Sequence, residues 1–311
     1  MKTQSFFNFD QTEILDIQNN GNITIAQMSY NNTVCKGVIT IHEAYKKNFI
    51  IIEEISESGT VNEISFENLS DYTIFILDGD ILKGAKQNRV ANSSVLVAAK
   101  SKIILPVSCI EKGRWGNDSF SFEPTNNVVH KSIRFENSQS LLKSRDEDKM
   151  DFKTNQYQVW ESVESCLSIT NESSDTESFN DLYEHNKADV IKFTKKFKLS
   201  NQANGIAIFV GTQLVSLDLF NNDTIFKDYF EKILQTAEIE NRMSVNLMLD
   251  KLQENEVQNS LSELFEKFST RTCKVNNGVC LGEESRSKID SKMFYGLSLE
   301  DKVIHQSILT K

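Results

Sequence analysis

The chain has 311 residues, of which 39% are hydrophobic and 25% charged, and this composition excludes a disordered or fibrous protein. Its formal net charge of -10 repels phosphate backbones and anionic lipids, which argues against broad nucleic-acid binding and against adsorption to membranes. The first residues lack the basic start and apolar run of a signal peptide, and no apolar stretch approaches the roughly 20 residues of a membrane helix. We therefore expect a cytoplasmic protein without a membrane segment.

The first third of the chain has the pattern of a β-rich region. Between about residues 20 and 115, short runs rich in Ile, Val, Phe and Thr are separated by Gly, Asn and Ser, which is the spacing of antiparallel strands and turns. The runs are NITIAQM, KGVITI, NFIIIEEI, NEISFENLS, YTIFILDG, SSVLVAA and KIILPVSCIE. This region is therefore predicted to form antiparallel sheet.

The pattern changes to a helical one after about residue 150. In QYQVWESVESCLS the apolar residues Val159, Val163 and Leu167 recur every four positions, as on the buried face of a helix. A second helix is predicted at about 178–197. The segment TNESSDTES between the two helices reads as a polar surface linker without visible chemistry.

The rest of the chain alternates between strands and helices. GIAIFVGTQLVSLDLF predicts a hairpin around Gly211-Thr212, and DTIFKDYFEKILQTAEIE predicts a helix with Asp223 as a candidate N-cap. VQNSLSELFEKFST has the periodicity of another helix. The last segments, KMFYGLSL and KVIHQSIL, are predicted to pair as a hairpin across Glu300-Asp301.

These elements together indicate the α+β class, with no internal repeat. We expect one α+β domain over residues 1–245, β-rich at 20–115 and helical and mixed at 150–245. Residues 246–311 are expected to add a helix and a β-hairpin that pack on the same domain.

The most unusual segment lies at residues 79–116, where polar side chains interrupt two apolar strands. Gln87, Asn88 and Arg89 place amide and guanidinium groups at adjacent positions, which suits a planar or anionic ligand. Gly84, with Lys83 and Lys86 on either side of it, could seat a phosphate. The alternative is that Gln87, Asn88 and Arg89 cap a turn and pair with an acid across the sheet.

The second half of that segment combines a thiol, a carboxylate, a guanidinium and an indole in SCIEKGRW. If the strand continues, Cys109 and Glu111 share one face. Glu111 could act as a general base, accept a hydrogen bond from a ribose hydroxyl, or pair with an arginine. Cys109 has no histidine near it in sequence, so we interpret it as a small core residue rather than a nucleophile.

Metal binding is not expected. The sequence has no C-x-x-C and no H-x-x-x-H, and its five cysteines predict reduced thiols. Asp78-Gly79-Asp80 could hold Mg²⁺, although a turn at the end of a strand accounts for the same residues. The P-loop, Rossmann and α/β-hydrolase motifs are also absent from the sequence.

The runs LKGAKQNRVANSSVLV and LPVSCIEKGRW resemble the ARPP domain family, which is named for its association with ADP-ribosylglycohydrolase and rhodanese/phosphatase proteins. The specific matches are Gly84 to Arg89 and Pro106 to Trp115. The later QYQVWESVESCLSITNESSDTESFNDLYE and GIAIFVGTQLVSLDLF are also similar to that family, so the resemblance covers about residues 20–240. It implies a link to ADP-ribose chemistry.

The leading hypothesis is therefore a protein that binds or processes an ADP-ribose- or NAD-like nucleotide in a pocket built by residues 83–92 and 108–115. Arg89 and Arg114 would engage phosphate, Gln87 and Asn88 would read ribose or base edges, and Glu111 would be the catalytic residue; the remaining pocket residues are Lys86, Asn92 and Trp115. The alternative is a non-catalytic interaction or scaffold protein whose polar motifs form an internal hydrogen-bond network. The cofactor, the occurrence of a reaction and self-association into a homo-oligomer stay open.

Overall fold

A computed structural model describes residues 3–5, 11–116, 119–147, 149, 151–245, 247, 249–269 and 272–311. The chain divides into two compact units. The inserted unit comprises Lys36–Ile191 and Gly278–Leu281. The flanking unit comprises Met1–Cys35, Lys192–Asn277 and Gly282–Lys311.

The described elements alternate between strands and helices along the chain. In chain order the strands are β1 (Thr3–Ser5), β2 (Thr12–Asn20), β3 (Ile23–Tyr30), β4 (Val38–Thr40), β5 (Ile50–Glu53), β6 (Glu63–Asn68), β7 (Thr73–Ile76), β8 (Asp80–Gly84), β9 (Arg89–Ala91), β10 (Val95–Val97), β11 (Lys102–Cys109), β12 (Phe122–Val128), β13 (Gly205–Val210), β14 (Gln213–Phe220), β15 (Thr272–Asn277), β16 (Glu283–Ile289), β17 (Lys292–Leu299) and β18 (Lys302–Thr310). The helices are α1 (Ile41–Lys46), α2 (Lys131–Asp146), α3 (Gln156–Ile169), α4 (Asp181–His185), α5 (Lys187–Thr194), α6 (Asp223–Ser244) and α7 (Glu254–Ser269). The α+β class is confirmed.

The inserted unit contains two sheets. The larger is antiparallel in the order β12-β8-β9-β11-β6-β5, and the smaller has the order β10-β7-β4 with β4 parallel to β7. Side chains of both sheets meet in one apolar core, where Ile64 and Phe66 of β6 join Ile74 and Ile76 of β7. The two residues of each pair are two positions apart on their strand, so their side chains point to the same face of the sheet. This spacing is why the sequence runs that contain them were predicted to be strands.

The flanking unit is built on one antiparallel sheet in the order β1-β15-β16-β17-β18-β14-β13-β3-β2. One face packs against the apolar side of α7, with Leu261, Phe265 and Phe268 in the same core as Leu217 and Leu219 of β14. Helix α6 packs against β13 and β14. None of the helices in the described residues combines the length and the apolar content that a bilayer crossing requires.

Both predicted hairpins are confirmed. β13 and β14 pair around Gly211-Thr212, and β17 and β18 pair with Leu299 opposite Lys302. Glu300 and Asp301 have φ values of 50° and 61°, the two positive angles that a type I′ hairpin turn requires.

The helices differ from the sequence expectation in four places. Helix α6 begins at Asp223, but its cap is Asn222, whose side chain accepts from the N–H of Ile225. The helix expected at 178–197 is two short helices, α4 and α5. Helices α1 and α2 were not predicted, and α2 buries Arg134, Asn137, Ser138 and Arg145 alongside its apolar residues, so its buried face has no apolar period.

Candidate functional site

A cleft of about 490 Å³ opens in the inserted unit. Both polar segments singled out in the sequence line it, the first through Gly84, Ala85 and Asn88 and the second through Glu111 and Arg114. The opposite wall is formed by Ser121, Phe122, Glu123, Asn180, Asp181 and Glu184. Segments distant in the sequence therefore converge on one concave surface.

The first segment enters the cleft through a sharp turn after β8. Gly84 has a φ of 131° and Ala85 a φ of 42°, both in the region that favours glycine. A Cβ atom on Gly84 would lie 2.5 Å from the carbonyl oxygen of Ser121, so only glycine fits this backbone approach. The N–H of Gly84 donates to Oδ1 of Asn88 at 3.2 Å, which closes the turn.

A bidentate ion pair joins Glu111 and Arg114 at the cleft wall. Arg114 donates from Nε to Oε1 of Glu111 at 2.8 Å and from Nη2 to Oε2 at 2.7 Å. Its Nη1 donates to the carbonyl oxygen of Ala85 at 2.6 Å. The guanidinium thereby ties the second segment to the turn of the first segment, and its planar geometry fixes the position of the carboxylate.

These contacts set the protonation state of Glu111. Burial alone would raise its pKa, but hydrogen bonds from Arg114 and from the N–H of Asn88, with the charge of Arg114, lower the pKa below its ordinary value. Glu111 is therefore a carboxylate at neutral pH. A carboxylate stabilised in this way is a weaker base than a free one, because the ion pair favours the charged form.

The segment TNESSDTES, expected to be a surface linker without chemistry, packs directly on the second polar segment. Ser178 forms a β-bridge with Glu111, and its hydroxyl accepts from Nδ2 of Asn88 at 3.3 Å. The N–H of Gly113 donates to the carbonyl oxygen of Thr176 at 2.8 Å. The segment is thus at the surface for most of its length, as expected, and its contacts through Thr176 and the buried Ser178 hold the cleft wall in place.

One end of the cleft is rich in acceptors. We call Glu123, Asn180, Asp181 and Glu184 the acidic end. Nζ of Lys83 lies 3.8 Å from Glu184, and the hydroxyl of Tyr45 donates to Glu123 at 3.1 Å. No residue of the acidic end is among the site residues predicted from the sequence. These residues carry no motif, and only folding brings β12 and α4 beside the two polar segments.

Arg89 lies inside the protein and is fully enclosed. Its Nη1 donates to Oε1 of Gln87 at 3.2 Å and also to the sulfur of Cys109. Its Nη2 donates to the carbonyl oxygen of Thr60 at 3.2 Å and lies 3.6 Å from Oε1 of Glu54. The acid that pairs with Arg89 is therefore Glu54, and both side chains of this ion pair are completely buried.

Cys109 is a buried residue of the same network. Burial raises the pKa of its thiol to about 11, although the charge of Arg89 acts in the opposite direction. Its backbone is fixed by Gln156, whose Oε1 accepts from the Cys109 N–H at 2.8 Å and whose Nε2 donates to the Cys109 carbonyl at 2.7 Å. A protonated, enclosed thiol is not a nucleophile, in agreement with its interpretation as a core residue.

The remaining predicted residues occupy other surroundings. Asn92 is buried, accepts from Ser108 Oγ at 2.7 Å and donates to the carbonyl oxygen of Phe152 at 3.1 Å. Trp115 is 51% exposed, and Nζ of Lys86 lies 5.6 Å from the centre of its ring. Of the predicted set, the structure brings Asn88, Glu111 and Arg114 into the cleft, while Gln87, Arg89 and Asn92 lie in the interior.

Asp78 and Asp80 belong to the buried structure around the turn that links β7 and β8. Arg134 donates to Asp78 from Nε at 3.1 Å and from Nη2 at 3.2 Å. Asp80 accepts from the N–H of Leu77 at 2.8 Å. These contacts agree with the turn interpretation, and no group of three or more His, Cys, Asp and Glu residues with the arrangement of a metal site occurs in the part of the chain that was described.

The chain matches a protein-family model over nearly its whole length. A family model, ARPP-1, described as the ARG and Rhodanese-Phosphatase-superfamily-associated Protein domain, matches residues 11–309. No curated protein and no solved structure matches the chain significantly. The match includes the C-terminal strands, which lie outside the stretch that carries the resemblance in the sequence.

Proposed function

Because the chain belongs to the ARPP-1 family, we propose that it binds an ADP-ribose- or NAD-like nucleotide in the cleft of the inserted unit. The family is named for its association with ADP-ribosylglycohydrolase and with rhodanese/phosphatase proteins. The observation that carries the proposal is the convergence of Asn88 from the first specific segment with Glu111 and Arg114 from the second on one concave surface.

The size and chemistry of the cleft suit part of such a nucleotide. Its volume of about 490 Å³ falls in the range of small-molecule sites, roughly 300–1,000 Å³. Ribose hydroxyls are hydrogen-bond donors, and the cleft offers them carboxylate oxygens at Glu123 and Glu184. The phosphates would lie toward Lys83, the lining cation that Glu111 does not hold, whose ammonium group can meet their charge.

Arg89 and Gln87 have a supporting role in this proposal. The enclosed Arg89 offers no surface to a ligand, but its bonds to Gln87 and to the Thr60 carbonyl hold the strand that follows Asn88. In this proposal the phosphate contact expected of Arg89 passes to Lys83. The catalytic role of Glu111 stays a prediction. Its lowered pKa makes it a weaker general base, and so favours a role in ligand binding over one in proton transfer.

The test is binding of ADP-ribose and NAD⁺ by isothermal titration calorimetry and thermal shift. A ligand at 100 times its Kd stabilises the folded state by about 2.7 kcal/mol, so a shift in Tm is expected with either nucleotide. Ser121→Phe would fill the cleft and abolish both signals. Ser173→Phe makes the same substitution at another exposed serine, outside the cleft lining, and should leave both signals intact.

The alternative function is a non-catalytic interaction or scaffold protein, and the buried Arg89–Glu54 pair with its neighbours favours it. In that case the polar segments stabilise the inserted unit and the cleft has no nucleotide ligand. If ADP-ribose, NAD⁺ and AMP all fail to bind the protein at millimolar concentration, the nucleotide proposal is rejected and the interaction or scaffold function is left.

A further inference from the structure

The acidic end gives the cleft an unusual charge for a nucleotide site. Of its lining residues, all within the described chain, Lys83 and Arg114 are the two cations, whereas Glu111, Glu123, Asp181 and Glu184 are acids. The bidentate pair with Glu111 neutralises Arg114. Among the lining residues, Lys83 is thus the one cation left to the carboxylates of the acidic end, and outside the lining the imidazole of His185 also interacts electrostatically with Asp181. The three carboxylates still leave this end with an excess of negative charge.

A second, independent observation points to a ligand at the same end. Asn180 is 2% exposed, and its Oδ1 accepts no hydrogen bond from any residue that the structure describes. Its Nδ2 donates to Oε1 of Glu184 at 3.4 Å. Because a carboxylate can only accept, this contact fixes the orientation of the amide and leaves Oδ1 as the acceptor. A buried acceptor of this kind is costly unless a donor reaches it.

The group that satisfies both observations is a cation that also donates an N–H. Resting on the proposed function, we propose that the acidic end binds the nicotinamide of an oxidised NAD-type nucleotide. The pyridinium ring supplies positive charge to Glu123, Asp181 and Glu184, and the carboxamide NH₂ donates to Oδ1 of Asn180. ADP-ribose lacks this group, and the reduced nicotinamide is neutral.

The first arm of the test compares ligands. Calorimetry at low ionic strength should show that NAD⁺ binds at least about 5-fold more tightly than NADH and ADP-ribose, because each ion pair near the surface contributes roughly 2–5-fold. The preference should decrease as salt is added, since salt screens partly exposed charges. Equal affinities for NAD⁺, NADH and ADP-ribose would overturn the inference while the proposed function stands.

The second arm changes the protein. Glu184→Gln keeps the shape of a half-exposed side chain and removes its charge. The affinity for NAD⁺ should therefore fall about 2–5-fold, while the affinities for NADH and ADP-ribose stay unchanged. Glu177→Gln, at a similarly exposed glutamate outside the cleft lining, is the matched control and should change nothing. An equal loss for all three ligands would reject charge recognition. Failure of every nucleotide to bind the wild type would instead reject the proposed function, and with it this assignment.

Discussion

The buried ion pair between Glu54 and Arg89 makes the sharpest stability prediction. Both side chains are completely buried, and neither carboxylate oxygen of Glu54 accepts a hydrogen bond within the described chain. Arg89→Met removes the guanidinium and keeps most of the side-chain length. It leaves the Glu54 carboxylate enclosed without its counter-charge, and it also takes away the donor to the carbonyl of Thr60.

The expected loss is large. Removing one partner of a buried ion pair costs about 3–5 kcal/mol, because the remaining charge stays desolvated. For a domain of roughly 150–250 residues, 1 kcal/mol corresponds to about 2–4 °C in Tm, so a decrease of about 6–20 °C follows. Replacing both partners, as in Glu54→Leu with Arg89→Met, should recover much of this loss, since buried ion pairs and apolar pairs of similar volume are often equally stable.

Urea denaturation followed by tryptophan fluorescence measures the effect. Trp115 and Trp160, the two tryptophans of the chain, both lie in the inserted unit, so the signal reports on the unit that holds the pair. Lys102→Met, at an exposed lysine of β11, is the control and should stay within about 0.5 kcal/mol of wild type. If Arg89→Met were as stable as this control, or the double variant no better than the single one, the reasoning about the pair would be refuted.

Three further predictions concern individual residues of the two segments. Glu111→Gln leaves the partly exposed Arg114 without its counter-charge and should cost about 1–3 kcal/mol at neutral pH, whereas a loss under about 1 kcal/mol with loss of activity would indicate catalysis. Because folding lowers the pKa of Glu111, the stabilisation by its ion pair is present at pH values above the ordinary pKa and disappears as the pH falls through the pKa of the folded state. Urea melts of the wild type and of Glu111→Gln should therefore converge in acid. Cys109, with a pKa of about 11, should not react with a thiol reagent at pH 8 until the protein unfolds, while the half-buried Cys280 reacts in the native state; native labelling of Cys109 found by peptide mapping would contradict its burial. Gly84→Ala should destabilise the protein by about 1–3 kcal/mol in the same melts, because its Cβ would collide with a carbonyl oxygen, and a neutral effect would show that the turn adapts.

The local elements could largely be predicted, because their signals lie within a few residues of one another. The four-residue spacing of Val159 and Val163 specifies α3, and the positive-φ turn at Glu300-Asp301 joins two apolar runs of strand. Helix α2 escaped prediction because its buried face includes charged and amide side chains, which interrupt the apolar period. Arg134, for example, pairs with Asp78.

The sequence by itself determined the α+β class, the family and the two polar segments, since all three depend on residue types in local order. Only the tertiary structure decided what those segments face. Asn88 lines the cleft while its neighbour Arg89, the first residue of β9, is enclosed beside Glu54. Successive residues of a strand point to opposite sides, and which side is interior depends on what packs there. For the same reason Asn180 could not be found in advance, because its place in the cleft comes from packing and not from a motif.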